Sequence, residues 1–147
     1  MMRRYPAVLL LAANVLAVPG CKKSSDTGTA AGTETATAQA SITDIQLGRH
    51  LSADKRVSDA TTKFSPRDTI YAVALTQGSS PNATVTARWT YEEGGQVVKE
   101  DSRSIAANGT EATEFHISKP SGWPTGRYKV DVSLNGAPAQ SKEFTVQ

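Results

Sequence analysis

Two hydrophobic patterns divide this chain, and a stretch with neither lies between them. From Ala7 to Val18 the residues are apolar apart from Asn14. From Ile42 onward apolar and polar residues alternate with a period of two, which puts the apolar set on one face of a strand. Ile45 and Leu47 alternate with Asp44 and Gln46. Val85, Ala87, Trp89 and Tyr91 alternate with Thr84, Thr86, Arg88, Thr90 and Glu92. Tyr128, Val130, Val132 and Leu134 alternate with Arg127, Lys129, Asp131 and Ser133. Ile70 to Thr76 is apolar on both faces and predicts a central strand. No sustained helical stripe interrupts this part of the chain.

Turn signals separate the strands. Glu93-Gly94-Gly95 predicts a tight hairpin into Gln96–Ser104. Asn108-Gly109 predicts a turn ahead of a strand carrying Phe115 and Ile117. Asn135-Gly136 predicts a type I′ hairpin, because both central positions of that turn need φ > 0. The last strand carries Phe144 and Val146. Leu51–Lys63 reads as a loop, with a short edge strand near Val57 as the alternative. The result is an all-β fold of about seven strands with turns about every 8–12 residues, an antiparallel β-sandwich filling residues 42–147. Trp89 falls mid-strand, and Trp123-Pro124-Thr125-Gly126-Arg127-Tyr128 leads into the penultimate strand. These features resemble the immunoglobulin-like and fibronectin type III sandwich. The resemblance implies a core tryptophan at Trp89 and a tyrosine corner at Tyr128, whose hydroxyl bonds back to the backbone. The chain has a single cysteine, so the domain is a disulfide-free version. Architecture of this kind implies no activity by itself.

The N-terminal pattern has a different meaning. Arg3 and Arg4 precede the apolar run, which is too short for a spanning helix of about 20 residues and suits an export signal. Val18-Pro19-Gly20-Cys21 follows. This resembles the bacterial lipoprotein signal, with an apolar residue three before the cysteine and a small one just before it. The resemblance implies cleavage ahead of Cys21, residues 1–20 being the signal peptide, and a diacylglyceryl thioether on the Cys21 thiol. Two or more acyl chains give stable anchoring, at about 0.8 kcal/mol per buried CH₂. Lys22, rather than aspartate, follows Cys21; in a Gram-negative cell this implies the outer membrane, facing the periplasm. Residues 21–41 then form the lipidated cysteine and a linker. Ser24–Ser41 is mostly Thr, Ala, Ser and Gly, cannot bury enough apolar surface to offset ordering entropy, and is expected to be a disordered tether.

Charge narrows the partners. Formal net charge is +2 for the whole chain, but without Arg3 and Arg4 the basic and acidic side chains number 14 each. A neutral domain with interspersed signs lacks the basic stripe of a nucleic-acid binder. His50 and His116 have no cysteine or histidine at zinc-ligand spacing. Asp54, Asp59 and Asp68 do not match a compact calcium loop. Glu92-Glu93 and Glu100-Asp101 are adjacent in sequence, and adjacent strand residues point to opposite faces. No serine sits in a Gly-x-Ser-x-Gly elbow. No catalytic residue, metal or cofactor is expected, and the chain is not read as an enzyme. Trp123, between Gly122 and Pro124, is the candidate partner contact, with capping of the sandwich end as the alternative. The expected function is that of a membrane-anchored envelope lipoprotein. Its partners would be membrane lipid through Cys21 and an envelope protein or glycan, with sheet edges and end loops as the contact surfaces. The alternatives are a structural or accessory subunit of a larger envelope assembly and, least favoured, an enzyme.

Overall fold

The computed structural model describes residues 39–147. The signal segment, Cys21 and most of the linker lie outside them. Six strands follow in order: β1 (Ser41–Gly48), β2 (Lys63–Phe64), β3 (Ile70–Tyr91), β4 (Gln96–Ile117), β5 (Gly126–Leu134) and β6 (Ala137–Val146). No helix occurs among the described residues.

β3 and β4 are each 22 residues long and pair with one another along their whole length. Each belongs to both layers of a sandwich. The first half of β3 pairs with β1, from Gly48 opposite Tyr71 to Ser41 opposite Gln77. Its second half pairs with β5, from Val85 opposite Leu134 to Tyr91 opposite Tyr128. The smaller sheet is therefore β1, the first half of β3 and the second half of β4. The larger sheet runs from the first half of β4 through the second half of β3 to β5 and β6, with β2 added in parallel at Lys63 and Phe64. This is the strand arrangement of an immunoglobulin-like sandwich.

The turn that the sequence predicts at Asn108-Gly109 does not form. Gly109 lies inside β4, paired with Gly78 of β3. Both have positive φ, +91° and +114°. A residue with a Cβ resists that conformation, so the facing glycines let the hairpin bend from one sheet into the other without ending. The Asn-Gly signal was real, but it marks a corner. At Asn135-Gly136 the signal does make a two-residue hairpin, with φ of 52° and 81°.

The core joins both layers. Ile45, Leu47, Ile70, Phe115 and Ile117 from the smaller sheet meet Val85, Trp89, Tyr128, Val130 and Phe144 from the larger. Trp89 is 0% exposed and lies edge-on to Phe144, with ring centroids 5.8 Å apart. Tyr128 stacks on Phe144 at 5.3 Å, and its hydroxyl donates to the Pro124 carbonyl at 2.8 Å, the expected tyrosine corner.

Polar side chains close both open sides of the sandwich. On one side, Gln140 of β6 donates to the carbonyl of Thr43, and Lys142 donates to that of Ile45 at 2.7 Å. On the other side, Lys99 of β4 donates to the His116 carbonyl at 3.1 Å. Lys99, Asp101 and Arg103 lie opposite Trp89, Ala87 and Val85, on the inward side of an edge strand. Asp101 pairs with Arg103 at 3.4 Å and with Lys99 at 3.9 Å. Charges pointing inward from an edge block the docking of a further strand.

Candidate functional site

The two outer sheet faces differ in access. On the smaller sheet, β3 turns Tyr71, Val73 and Leu75 outward, beside Ala112, Glu114 and His116 of β4. The chain itself covers part of this face. The segment after β1 turns back at Ser52–Arg56, where the Ser52 N–H donates to the Arg56 carbonyl at 2.8 Å and Lys55 takes a positive φ. It then runs over Gly48, where an added Cβ would lie 2.3 Å from the Val57 side chain and from the Asp59 carbonyl oxygen. Val73 is 0% exposed although its register turns it away from the interior. Arg49 fastens the base of the loop. Its guanidinium bonds Asp68 at 2.8 Å and the Lys63 carbonyl at 2.7 Å, with Asp59 at 3.6 Å. The Ser65 N–H and Arg49 together hold the Asp68 carboxyl below the usual aspartate range. Asp59 and Asp68 thus converge on an arginine.

The outer face of the larger sheet stays open and is polar apart from Val97, which lies opposite Thr90 at its β4 edge. One cross-strand row runs Glu100 on β4, Arg88 on β3, Asp131 on β5 and Ser141 on β6. A second runs Ser102, Thr86 and Ser133. The Arg88 guanidinium lies 3.8 Å from Glu100, and Lys129 lies 3.2 Å from Asp131. The Ser141 hydroxyl donates to Asp131. The hydroxyls of Thr86 and Ser102 are 2.8 Å apart. At the β5–β6 end the register shifts, with Val132 opposite Gln140 and Ser133 opposite Pro138. The extra residue, Ala139, is a bulge that bends β6 beside the row. The result is a cleft of about 680 Å³.

Alternation makes Glu100 and Asp101 part company as the sequence implied: Glu100 joins the outer row, and Asp101 joins the inward ion pairs. Nothing local in the sequence puts Arg88, Glu100, Asp131 and Ser141 together, because only the register brings four distant segments into line. The available signal was the polar half of each alternating strand.

Trp123 is 8% exposed. Its backbone N–H donates to the Pro66 carbonyl at 2.7 Å, its ring meets Tyr128 edge-on at 6.3 Å, and its buried indole Nε1 has no partner. The Lys119 ammonium lies over the indole at 5.8 Å. The residue closes one end of the sandwich, beside a groove of about 360 Å³ that also involves Tyr91, Val98 and Val97. Val97 is the one large apolar side chain left exposed among the described residues, at 44%. Nearby, the Tyr91 hydroxyl donates to Glu93 at 2.9 Å, which raises the Tyr91 pKa. Burial pushes the Tyr128 phenol up to about 12. His116 is exposed, 3.3 Å from Glu114 and tilted against Tyr71. Among the described residues, no three His, Cys, Asp or Glu side chains converge as a metal site would need.

Neither a protein-family model nor a curated protein matches the chain. Among solved structures it is similar to an immunoglobulin-like protein from Pseudomonas aeruginosa, with 15% identity and a TM-score of 0.49 over 76% of this chain and 99% of that one. It is also similar to part of a Pseudomonas fluorescens alkylpurine DNA glycosylase, with 18% identity and a TM-score of 0.49 over 74% of this chain and 30% of that one. A β-glucosidase of saponin metabolism from intestinal bacteria matches with 15% identity and a TM-score of 0.42, over 71% of this chain and 16% of the enzyme. The chain thus spans less than a third of either enzyme, and these likenesses carry no functional argument.

Proposed function

We propose that this chain is a lipoprotein of the bacterial cell envelope whose sandwich binds an envelope partner through the outer face of its larger sheet. In this reading residues 1–20 are removed, Cys21 carries the lipid, residues 22–41 are the tether, and residues 42–147 form the binding domain. In a Gram-negative cell the domain stands in the periplasm, held at the outer membrane. The partner is a protein or a glycan, and the domain positions it without chemically altering it.

One observation carries the binding half. Of the two outer faces, the one with the apolar β3 row is partly covered by the Leu51–Asp59 segment, and the other is left bare with a cleft at the Ala139 bulge. The sheet edges are less suited to partners than the sequence suggested, because inward charges guard β4, and Pro138 interrupts the donor row of β6. The anchoring half rests on Val18, Gly20 and Cys21.

Two experiments test the two halves. Cys21→Ser is expected to shift the protein from the membrane to the soluble fraction of exporting cells. A variant that still fractionates with membranes removes the anchor from the reading. Crosslinking from Arg88 or Ser141 in intact cells is expected to trap an envelope component. Crosslinks that form only from the smaller sheet or the sandwich ends place the binding surface elsewhere.

A further inference from the structure

We propose that the cleft on the larger sheet binds a neutral, hydroxyl-rich glycan segment laid across the strands. The inference rests on that face being the binding surface, and it names the chemistry of the partner. The row from Glu100 to Ser141 crosses four strands, so it is roughly 14 Å long at the usual strand spacing. A short oligosaccharide matches that length.

The charges decide against other polymers. Arg88 has Glu100 beside it, and Lys129 has Asp131. The row therefore presents local dipoles and little net field. A polyanion gains almost nothing there, because its affinity comes from unpaired cations. A protein partner lacks what protein interfaces depend on: no aromatic or large aliphatic side chain stands exposed along the row to seat an anchor. What the row offers is donors and acceptors interleaved. Arg88 donates in a fixed fork, Glu100 and Asp131 accept, and the Ser133 and Ser141 hydroxyls do either. A sugar hydroxyl also does both, so adjacent hydroxyls on a ring can bridge a carboxylate and its neighbouring donor. At the bulge, Pro138 and Ala139 add a small apolar surface suited to the C–H face of a ring.

The test uses the full chain, solubilised in detergent, titrated calorimetrically with neutral oligosaccharides: a β-1,4-glucan, an α-1,4-glucan and a β-1,4-linked N-acetylglucosamine oligomer. At least one is expected to bind saturably with a Kd on the order of a millimolar, the weak range in which a bound array relies on multiplicity. Raising salt from about 0.05 to about 0.5 M is expected to leave Kd unchanged, since no net charge is neutralised. Arg88→Ala and Ser141→Ala are each expected to weaken binding, Arg88→Ala about tenfold through loss of a charge-assisted bond. Both residues are exposed, so both variants should melt with the parent. Trp123→Phe is expected to bind as the parent does. No binding of any probe overturns the proposal, as does binding that Trp123→Phe abolishes and Arg88→Ala does not. A crosslink from Arg88 to a protein also overturns it, while leaving the envelope-partner reading intact. Membrane release of the Cys21→Ser variant is independent of all these outcomes.

Discussion

Replacing Tyr128 by phenylalanine isolates one atom of the fold. The lost oxygen donates to the Pro124 carbonyl at 2.8 Å, and the ring it leaves behind still stacks on Phe144 at 5.3 Å and still meets Trp123. A neutral hydrogen bond of good geometry contributes about 1 kcal/mol net, and a stranded buried acceptor adds to the loss. Pro124 itself is exposed, so water can reclaim its carbonyl and the cost stays near about 1–1.5 kcal/mol. Tyr128→Ala also removes the ring, and large aromatic-to-alanine losses in cores run about 3–5 kcal/mol. Urea unfolding followed by the fluorescence of Trp89 and Trp123 measures both. With a slope of about 1–1.5 kcal/mol per molar for a domain of this size, the phenylalanine variant should unfold about 1 M earlier. A pH series supplies a second reading. The folded phenol titrates at about 12 against an unfolded value near 10, so the fold favours its protonated form. That stability is complete below about pH 10 and is lost as pH rises toward about 12. The phenylalanine variant should lack this alkaline decline. Equal midpoints for parent and Tyr128→Phe would refute the corner's role, as would a phenylalanine variant as unstable as the alanine one.

Three further outcomes follow from the geometry. Gly48→Ala pushes a methyl onto Val57 and the Asp59 backbone, and should cost about 1–3 kcal/mol or unseat the loop; limited proteolysis at Lys55 or Arg56 would report the second. Asp68 has a lowered pKa, so its contribution is present above about pH 4 and disappears as pH falls through the folded value. Asp68→Asn should therefore lower stability at pH 7 by about 1 kcal/mol and flatten the acid limb of the melting profile, and an unchanged limb would contradict this. Replacing Asp101 and Arg103 together by valine strips the charges from the β4 edge and should produce concentration-dependent oligomers in light scattering; a strictly monomeric variant would show that the edge is guarded by something else.

The strands themselves were legible because nearly every one has an apolar face of period two, and because Asn135-Gly136 and Tyr128 act locally. What sequence concealed was longer in range. Asn108-Gly109 has the same letters as Asn135-Gly136, yet it faces Gly78 across a ladder and bends a strand in place of ending it. Local propensity reports that a positive φ is tolerated; the partner strand decides what it is used for. Leu51–Lys63 has no periodicity to read, because its place is fixed by the missing side chain of Gly48 and the reach of Arg49. The candidate cleft was hidden for a related reason. Arg88, Glu100, Asp131 and Ser141 are unremarkable polar residues on four segments, and only pairing register makes them neighbours.

The unbroken β3–β4 hairpin also bears on how the domain assembles. In most sandwiches the two layers are brought together by closing loops between distant segments, a slow search. Here strands adjacent in sequence, joined through Glu92–Gly95, extend through both layers. Zippering outward from that turn is expected to set the register of the larger sheet first and to carry it around the glycine corner into the smaller one. β1 and β5 then add to a template already in place. Mutations near Gly94 and Gly95 should therefore slow refolding, whereas changes in β1 should mainly speed unfolding.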